Sequence, residues 1–199
     1  GFNGIRMHQK MEDPLLYYWA DRLGLVVWAE LPSCYSFSGD AMEHTLRLAT
    51  EAVRRDINHP CVICWVPLNE SWGVRNIYSN PAQQQFALSL YHWIKSLDPS
   101  RLVSTNDGWE QVTSDLCCIH DYAPDGDALA DKWDNMEQLL ATHAAGRVIY
   151  AQGFRHAGQP VILSEFGGIA YKTSFSDDDW GYARRETSQE EFLIRLRSL

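Results

Sequence analysis

Two glutamates stand in the same setting in this 199-residue chain. Glu70 follows the run Val62-Ile63-Cys64-Trp65-Val66 within PCVICWVPLNESWG (60–73), and Glu165 follows Val161-Ile162-Leu163-Ser164 within PVILSEFGG (160–168). Short apolar, β-branched and aromatic runs read as strands buried on both faces. Each strand then carries one carboxyl group at its C-terminal mouth, and Asn69 sets a carboxamide beside the first. Paired carboxyls in such places suit general acid/base work or the two-carboxyl cleavage of a glycosidic bond. Glu30 ends a third such run, Leu25-Val26-Val27-Trp28-Ala29, and reads first as a structural partner for Arg6 or Lys10. Asp107 and Trp109, after a run at 101–105, and His120, after one at 116–119, are further candidates for substrate contact. Loop packing is the competing reading for Trp109 and His120, as it is for His8.

The elements that must position these side chains alternate along the chain. A strand at 1–6 is followed by a helix from Asp13-Pro14 to Gly24, with Leu16, Trp19, Ala20 and Leu23 on one face. After the strand at 25–29, Met42, Leu46, Ala49, Val53 and Ile57 mark a second helix. Asn80-Pro81 caps a third, striped by Phe86, Leu90, Trp93, Ile94 and Leu97 and closed by Asp98-Pro99. A short helix is expected over 109–114, and another is marked by Leu129, Trp133, Met136 and Leu140. The connection 144–159 shows no assignable pattern, and 173–187 reads as a polar loop. Ser188-Gln189-Glu190-Glu191 is a capping box that opens a last helix, with Phe192, Leu196 and Leu199 inward. Trp28, Trp65, Trp93 and Trp133 read as core.

Six strands alternating with helices predict an α/β fold with a parallel sheet. In an open sheet the strands ending at Glu70 and Glu165, third and sixth of those visible, would lie roughly 14 Å apart at ~4.8 Å per strand, too far for shared chemistry. In a (β/α)8 TIM barrel such strands face each other across the axis. The glycine-rich phosphate loop usual in nucleotide-binding open sheets does not follow the first strand. Because a complete barrel has eight strands in about 250 residues, residues 1–199 are expected to be a partial catalytic barrel domain holding strands two to seven. Its open edges predict a homodimer in which a second copy closes the barrel.

Composition narrows the partners. At 45% hydrophobic residues the chain can bury one sizeable core. Eight Trp and nine Tyr either fill that core or line a site for flat apolar faces such as those of sugars. A net charge of -9, with no Lys/Arg cluster longer than a pair, argues against nucleic acid and anionic membrane as partners. Five cysteines, three of them (Cys61, Cys64, Cys118) inside apolar runs, suit a reducing compartment, so a cytoplasmic location is expected. Cys61-x-x-Cys64 is a poor zinc half-site, since the two point to opposite faces of a strand and no second pair follows. No metal or cofactor is expected; a metal-dependent hydrolase using His8, His59 or His120 would want a His-x-His pair or an acid-rich strand end.

Four stretches in register carry a resemblance: GFNGIR at 1–6, LGLVVWAE at 23–30, NHPCVICWVPLNES at 58–71 and PVILSEFG at 160–167. Together they resemble the catalytic barrel of glycoside hydrolase family 2, the β-galactosidase, β-glucuronidase and β-mannosidase group, from Gly1 to about Gly168. The resemblance implies retaining hydrolysis of β-glycosides, with Glu70 as general acid/base and Glu165 as nucleophile. It further implies that Asn69 hydrogen-bonds the sugar 2-hydroxyl, that Arg6 supports the nucleophile's end of the site and that Tyr122 lies near the nucleophile. Two N-terminal β-sandwich domains normally precede this barrel. Met7-His8-Gln9-Lys10 stands where many members carry Ser-His-Tyr-Pro, and the family's strand-eight residues fall outside the chain. A carbohydrate-binding or structural fragment that turns nothing over is the alternative class.

Overall fold

The computed structural model describes residues 1–199 except Thr142, Asp177 and Ala183. The expected polar loop 173–187 therefore includes two positions, Asp177 and Ala183, that lie outside the described residues. The chain forms two compact units, residues 1–118 with 150–162, and residues 119–149 with 163–199.

In the first unit β1 (Gly4–Met7), α1 (Pro14–Leu23), β2 (Val26–Glu30), α2 (Gly39–Asp56), β3 (Val62–Val66) and β4 (Leu68–Asn69) follow one another. Then come α3 (Pro81–Leu97), β5 (Leu102–Val103), β6 (Asn106–Asp107) and the start of β7 (Cys117–Asp121). The order β1-β2-β3-β5 is parallel throughout, and β4 pairs in parallel with β6. Helices cross between the strands, as the α/β reading requires. The ends of α1 and α3 are where the sequence signals put them, whereas the cap of α2 is seen only in the structure. Asp13 caps α1, with Pro14 in the first turn and Gly24 left-handed at the far end; Ser38 caps α2; Asn80 caps α3, again with proline at the start.

Burial of one helical stripe against one sheet face holds this unit together. Val27, Ala29, Val62, Trp65 and Val103 pack against Tyr17 and Ala20 of α1, Ala49, Ala52 and Val53 of α2, and Ile94 of α3. Each fully buried large aliphatic contributes about 1.5–3 kcal/mol. The second face of β3 is covered too, since Cys64 and Val66 pack with Leu116, Cys118, Trp28 and Ile162. A buried Asp98 accepts from Trp65 Nε1 at 2.9 Å and pairs with Arg101 at 2.8 Å, which pins the end of α3 to β3.

Several expectations fail for a common reason: a periodic stripe shows that a helix has an apolar side, not where its neighbours end. The buried face of α1 centres on Tyr17 and Ala20, while Trp19 and Leu23 face solvent. Trp93 is half-exposed, its indole N–H donating to Thr50 across the outer surface of α2 and α3. The expected helix at 109–114 is absent among the described residues; there the chain runs through Trp109, with Glu110 left-handed at φ 47° and Gln111 bridging to Tyr150.

The second unit holds the end of β7, α4 (Gly126–Trp133), α5 (Met136–Ala141), β8 (His143–Ala144) and β9 (Arg147–Val148). It continues with the end of β10 (Val161–Phe166), β11 (Ala170–Tyr171), β12 (Arg185–Glu186) and α6 (Gln189–Ser198). β7 pairs with β10. The single helix expected around Trp133 is broken in two, because the Asn135 side chain accepts from the Glu137 and Gln138 N–H groups and starts a new helix. Trp133 is only partly buried. Part of the unassigned connection is the β8–β9 hairpin, turned by Ala145 and Gly146 at positive φ. Ser188 caps α6 as expected, but the residue it buries is Arg195 rather than Leu196, which is exposed. Arg195 donates to the carbonyls of Pro124, Arg184 and Tyr182, and those bonds make a buried guanidinium tolerable. Among the described residues no helix is long and apolar enough to cross a membrane.

Candidate active site

β3 ends at Val66, and the chain re-enters a ladder at β4, where Asn69 stands opposite Asp107 of β6. Immediately afterwards Glu70 and Ser71 both adopt left-handed backbone, at φ 50° and 58°. Outside glycine that conformation costs about 1–2 kcal/mol per residue, so the turn needs support. The Glu70 N–H donates to the Asp107 carbonyl at 2.9 Å, and the Ser71 N–H to Asn106 Oδ1 at 3.0 Å. Ser71 Oγ donates to Glu110 at 2.7 Å, while Asn106 Nδ2 donates to Ser71 Oγ at 3.1 Å and to the Trp109 carbonyl at 2.8 Å. Asn106 and Ser71 are fully buried. Strain over-determined in this way is typical of functional turns, where it aims a side chain.

Arg6, at the mouth of β1, links the neighbouring strand ends. Its Nε donates to Glu30 at 2.6 Å and one terminal nitrogen to Asn69 Oδ1 at 2.9 Å; His8 Nδ1 lies 3.0 Å from the same nitrogen. Glu30, fully buried at the end of β2, also accepts the Gln9 N–H at 2.9 Å. Burial pushes its carboxyl above the usual range, and the Arg6 cation pulls it back without cancelling the effect. Glu30 is thus the structural partner that its position suggested. By fixing Arg6 it fixes the Asn69 amide, whose Oδ1 accepts from Arg6 and whose Nδ2 is the group left to donate.

Asp107 is fully buried, with Ser104 Oγ donating to it at 3.1 Å, and Trp109 is buried as well. Sequence reasoning passed over Ser71, Asn106 and Glu110. The available signal was a run of small polar residues, Ser104-Thr105-Asn106, directly after a strand and therefore in a place where polar groups are buried.

In the second unit β10 presents Glu165, after which Gly167 and Gly168, at φ 78° and 60°, turn the chain away. The Tyr122 hydroxyl donates to Glu165 Oε2, and the buried His120 places Nε2 3.5 Å from Oε1. Tyr122 stacks face to face on Tyr182, with centroids 3.5 Å apart. Burial first, and the bond to Glu165 second, push the phenol far above the usual tyrosine range, so Tyr122 remains a donor.

Away from these strand mouths, Asp21, His59 and Cys61 bring one ligand atom each within 4.8 Å of one another. Internal bonds already engage them: His59 Nδ1 lies 2.6 Å from Asp21, whose other oxygen accepts the Cys61 N–H at 2.8 Å. Burial pushes the Cys61 thiol up to about 12, so a metal there would have to displace a tightly held proton. Cys64 turns away from this group, its thiol donating to the Trp65 carbonyl.

The sequence profile of the family described as "Glycosyl hydrolases family 2, TIM barrel domain" matches residues 1–194. The β-glucuronidase of Canis lupus familiaris is 32% identical over 161 residues, covering 74% of this chain and 22% of that protein. The β-galactosidase of Erwinia tasmaniensis is 34% identical over 131 residues, 59% of this chain and 11% of that protein. The chain therefore spans about a fifth or less of the length of these relatives. The solved apo structure of Bacteroides uniformis β-glucuronidase 3 superposes with a TM-score of 0.66 over 87% of this chain and 21% of that one, at 21% identity. A parallel α/β alternation, strand mouths that carry the two glutamates, and a profile match along nearly the whole chain agree: the chain belongs to glycosyl hydrolases family 2 and corresponds to that family's TIM barrel domain.

Proposed function

We propose that this domain hydrolyses terminal β-glycosidic bonds by a retaining double displacement, with Glu70 as acid/base and Glu165 as nucleophile. In the first step the Glu70 carboxyl gives its proton to the glycosidic oxygen while a Glu165 carboxylate oxygen bonds to the anomeric carbon, and the aglycone departs as an alcohol. In the second, the Glu70 carboxylate takes a proton from water, the water oxygen bonds to the anomeric carbon, and Glu165 leaves as a carboxylate. Two inversions leave the sugar in its original β-configuration.

The observation that carries this reading is the Glu165 carboxylate held at the mouth of β10 by the hydroxyl of the half-buried Tyr122. A hydroxyl donor on one carboxylate oxygen, with the His120 ring beside the other, fixes the orientation in which the group would attack. Asn69 supports the reading from the other strand mouth, for its amide is oriented by Arg6 and it directly precedes Glu70. The family and its β-glucuronidase and β-galactosidase members supply the substrate class.

Treatment with a panel of 2-deoxy-2-fluoro β-glycosyl fluorides, followed by peptide mass spectrometry, tests the assignment. A stoichiometric sugar adduct is expected on Glu165 and none on Glu165→Gln. An adduct on another carboxylate, or hydrolysis of p-nitrophenyl β-glycosides that survives Glu165→Gln, would refute it.

A further inference from the structure

The turn that aims Glu70 also carries Trp72 and Arg75, and nothing in the two-glutamate reaction uses them. The Arg75 guanidinium lies over the Trp72 ring, 3.6 Å from its centroid. Tyr35 meets the same indole edge-on, at 5.6 Å and 87°. Tyr35 comes from the loop that leaves β2, Trp72 from the turn that leaves β4, so both project from C-terminal ends of strands in the first unit. Gly73 makes this approach close: a Cβ there would stand 2.8 Å from the Cys34 carbonyl oxygen, and its φ of 78° favours glycine. Despite these contacts Tyr35 is 81% exposed, and Arg75 is exposed too. An exposed tyrosine and an exposed arginine held against a half-buried tryptophan have the composition of a binding hot spot, not of a core.

We infer that Tyr35, Trp72 and Arg75 form an aglycone platform selective for aryl leaving groups, with Arg75 favouring an anionic substituent on the ring. The inference rests on the proposed role of Glu70, because an acid that protonates the glycosidic oxygen has the aglycone on its own side. Trp72 lies two residues beyond that acid, and its N–H is tied back to the Asn69 carbonyl at 2.9 Å, so acid and platform move as one turn. A flat aryl ring gains stacking on the aromatic edges and the guanidinium plane, and a carboxylate on that ring gains a charge-assisted partner in Arg75.

The test is calorimetric binding of hydrolysis-resistant 1-thio-β-D-glucuronides and 1-thio-β-D-galactosides carrying methyl, phenyl or 4-carboxyphenyl groups to the full chain. Phenyl is expected to bind about tenfold tighter than methyl, and 4-carboxyphenyl a few-fold tighter again. Trp72→Ala should bring the phenyl-to-methyl ratio close to one, Trp72→Phe should restore most of it, and Arg75→Gln should remove only the carboxylate gain. Equal affinities for phenyl and methyl, a ratio that survives Trp72→Ala, or binding of none of the probes would overturn the inference. Because thioglycosides report affinity without turnover, the outcome is separate from the acid/base assignment. That assignment fails on its own terms if Glu70→Gln still hydrolyses alkyl O-glycosides.

Discussion

Replacing Asn106 by alanine tests whether the strained turn at Glu70 is held by the bonds described above. Asn106 is fully buried and makes three contacts: it accepts the Ser71 N–H and donates to Ser71 Oγ and to the Trp109 carbonyl. Alanine leaves the buried Ser71 N–H without its acceptor, which costs about 1–3 kcal/mol, and removes two further bonds worth about 0.5–1.5 kcal/mol each. Ser71 Oγ keeps its bond to Glu110, so the total is expected near 3 kcal/mol. Urea unfolding reads this as a lower midpoint at unchanged slope. Asn106→Asp retains the acceptor but buries a carboxylate against the Trp109 carbonyl oxygen, so it is expected to cost at least as much as alanine. If Asn106→Ala stays within about 0.5 kcal/mol of wild type, in the range of an inconsequential substitution, the bonds do not hold the turn and the reasoning is wrong.

Two further outcomes follow from the same physics. Asp98 is held at about 2: burial pushes its carboxyl up, but hydrogen bonds from Ser100, Trp65 and Arg101 outweigh that cost. The folded value lies below the unfolded value near 4, so the stabilisation is complete above about pH 4 and is lost as pH falls through about 2. Asp98→Asn should therefore cost about 2 kcal/mol at pH 7, with the gap to wild type closing between pH 4 and pH 2; a gap that stays constant in acid unfolding would contradict the assignment. Tyr122→Phe removes a donor to a charged carboxylate, an interaction of about 1.5–3 kcal/mol. On the proposed mechanism it should lower kcat/KM for aryl β-glycosides by about 10- to 100-fold, and an unchanged kcat/KM would remove Tyr122 from the site.

The alternation of strands and helices, the caps at Asp13, Asn80 and Ser188, and the placing of Glu70 and Glu165 at strand mouths were all legible in the chain itself. They depend on local information: side-chain periodicity, a polar residue that caps the next turn, a β-branched run too apolar to lie at the surface. Glu30 was legible for the same reason, as a carboxylate at a buried strand end with few partners in reach. What the sequence could not report is who lies opposite whom. Arg6 meets Asn69 across 63 positions, and Ser71 meets Glu110 across 39; no local pattern encodes either contact. The left-handed turn at Glu70–Ser71 contradicts local preference and exists only because Asn106 and Asp107 arrive beside it from another strand. Exposure of Trp19, Trp93 and Leu196 and burial of Arg195 are decisions of the same kind. Amphipathic pattern determines that a helix has a face to bury, whereas the extent of its neighbours and the carbonyls they present determine which side chains that face will hold.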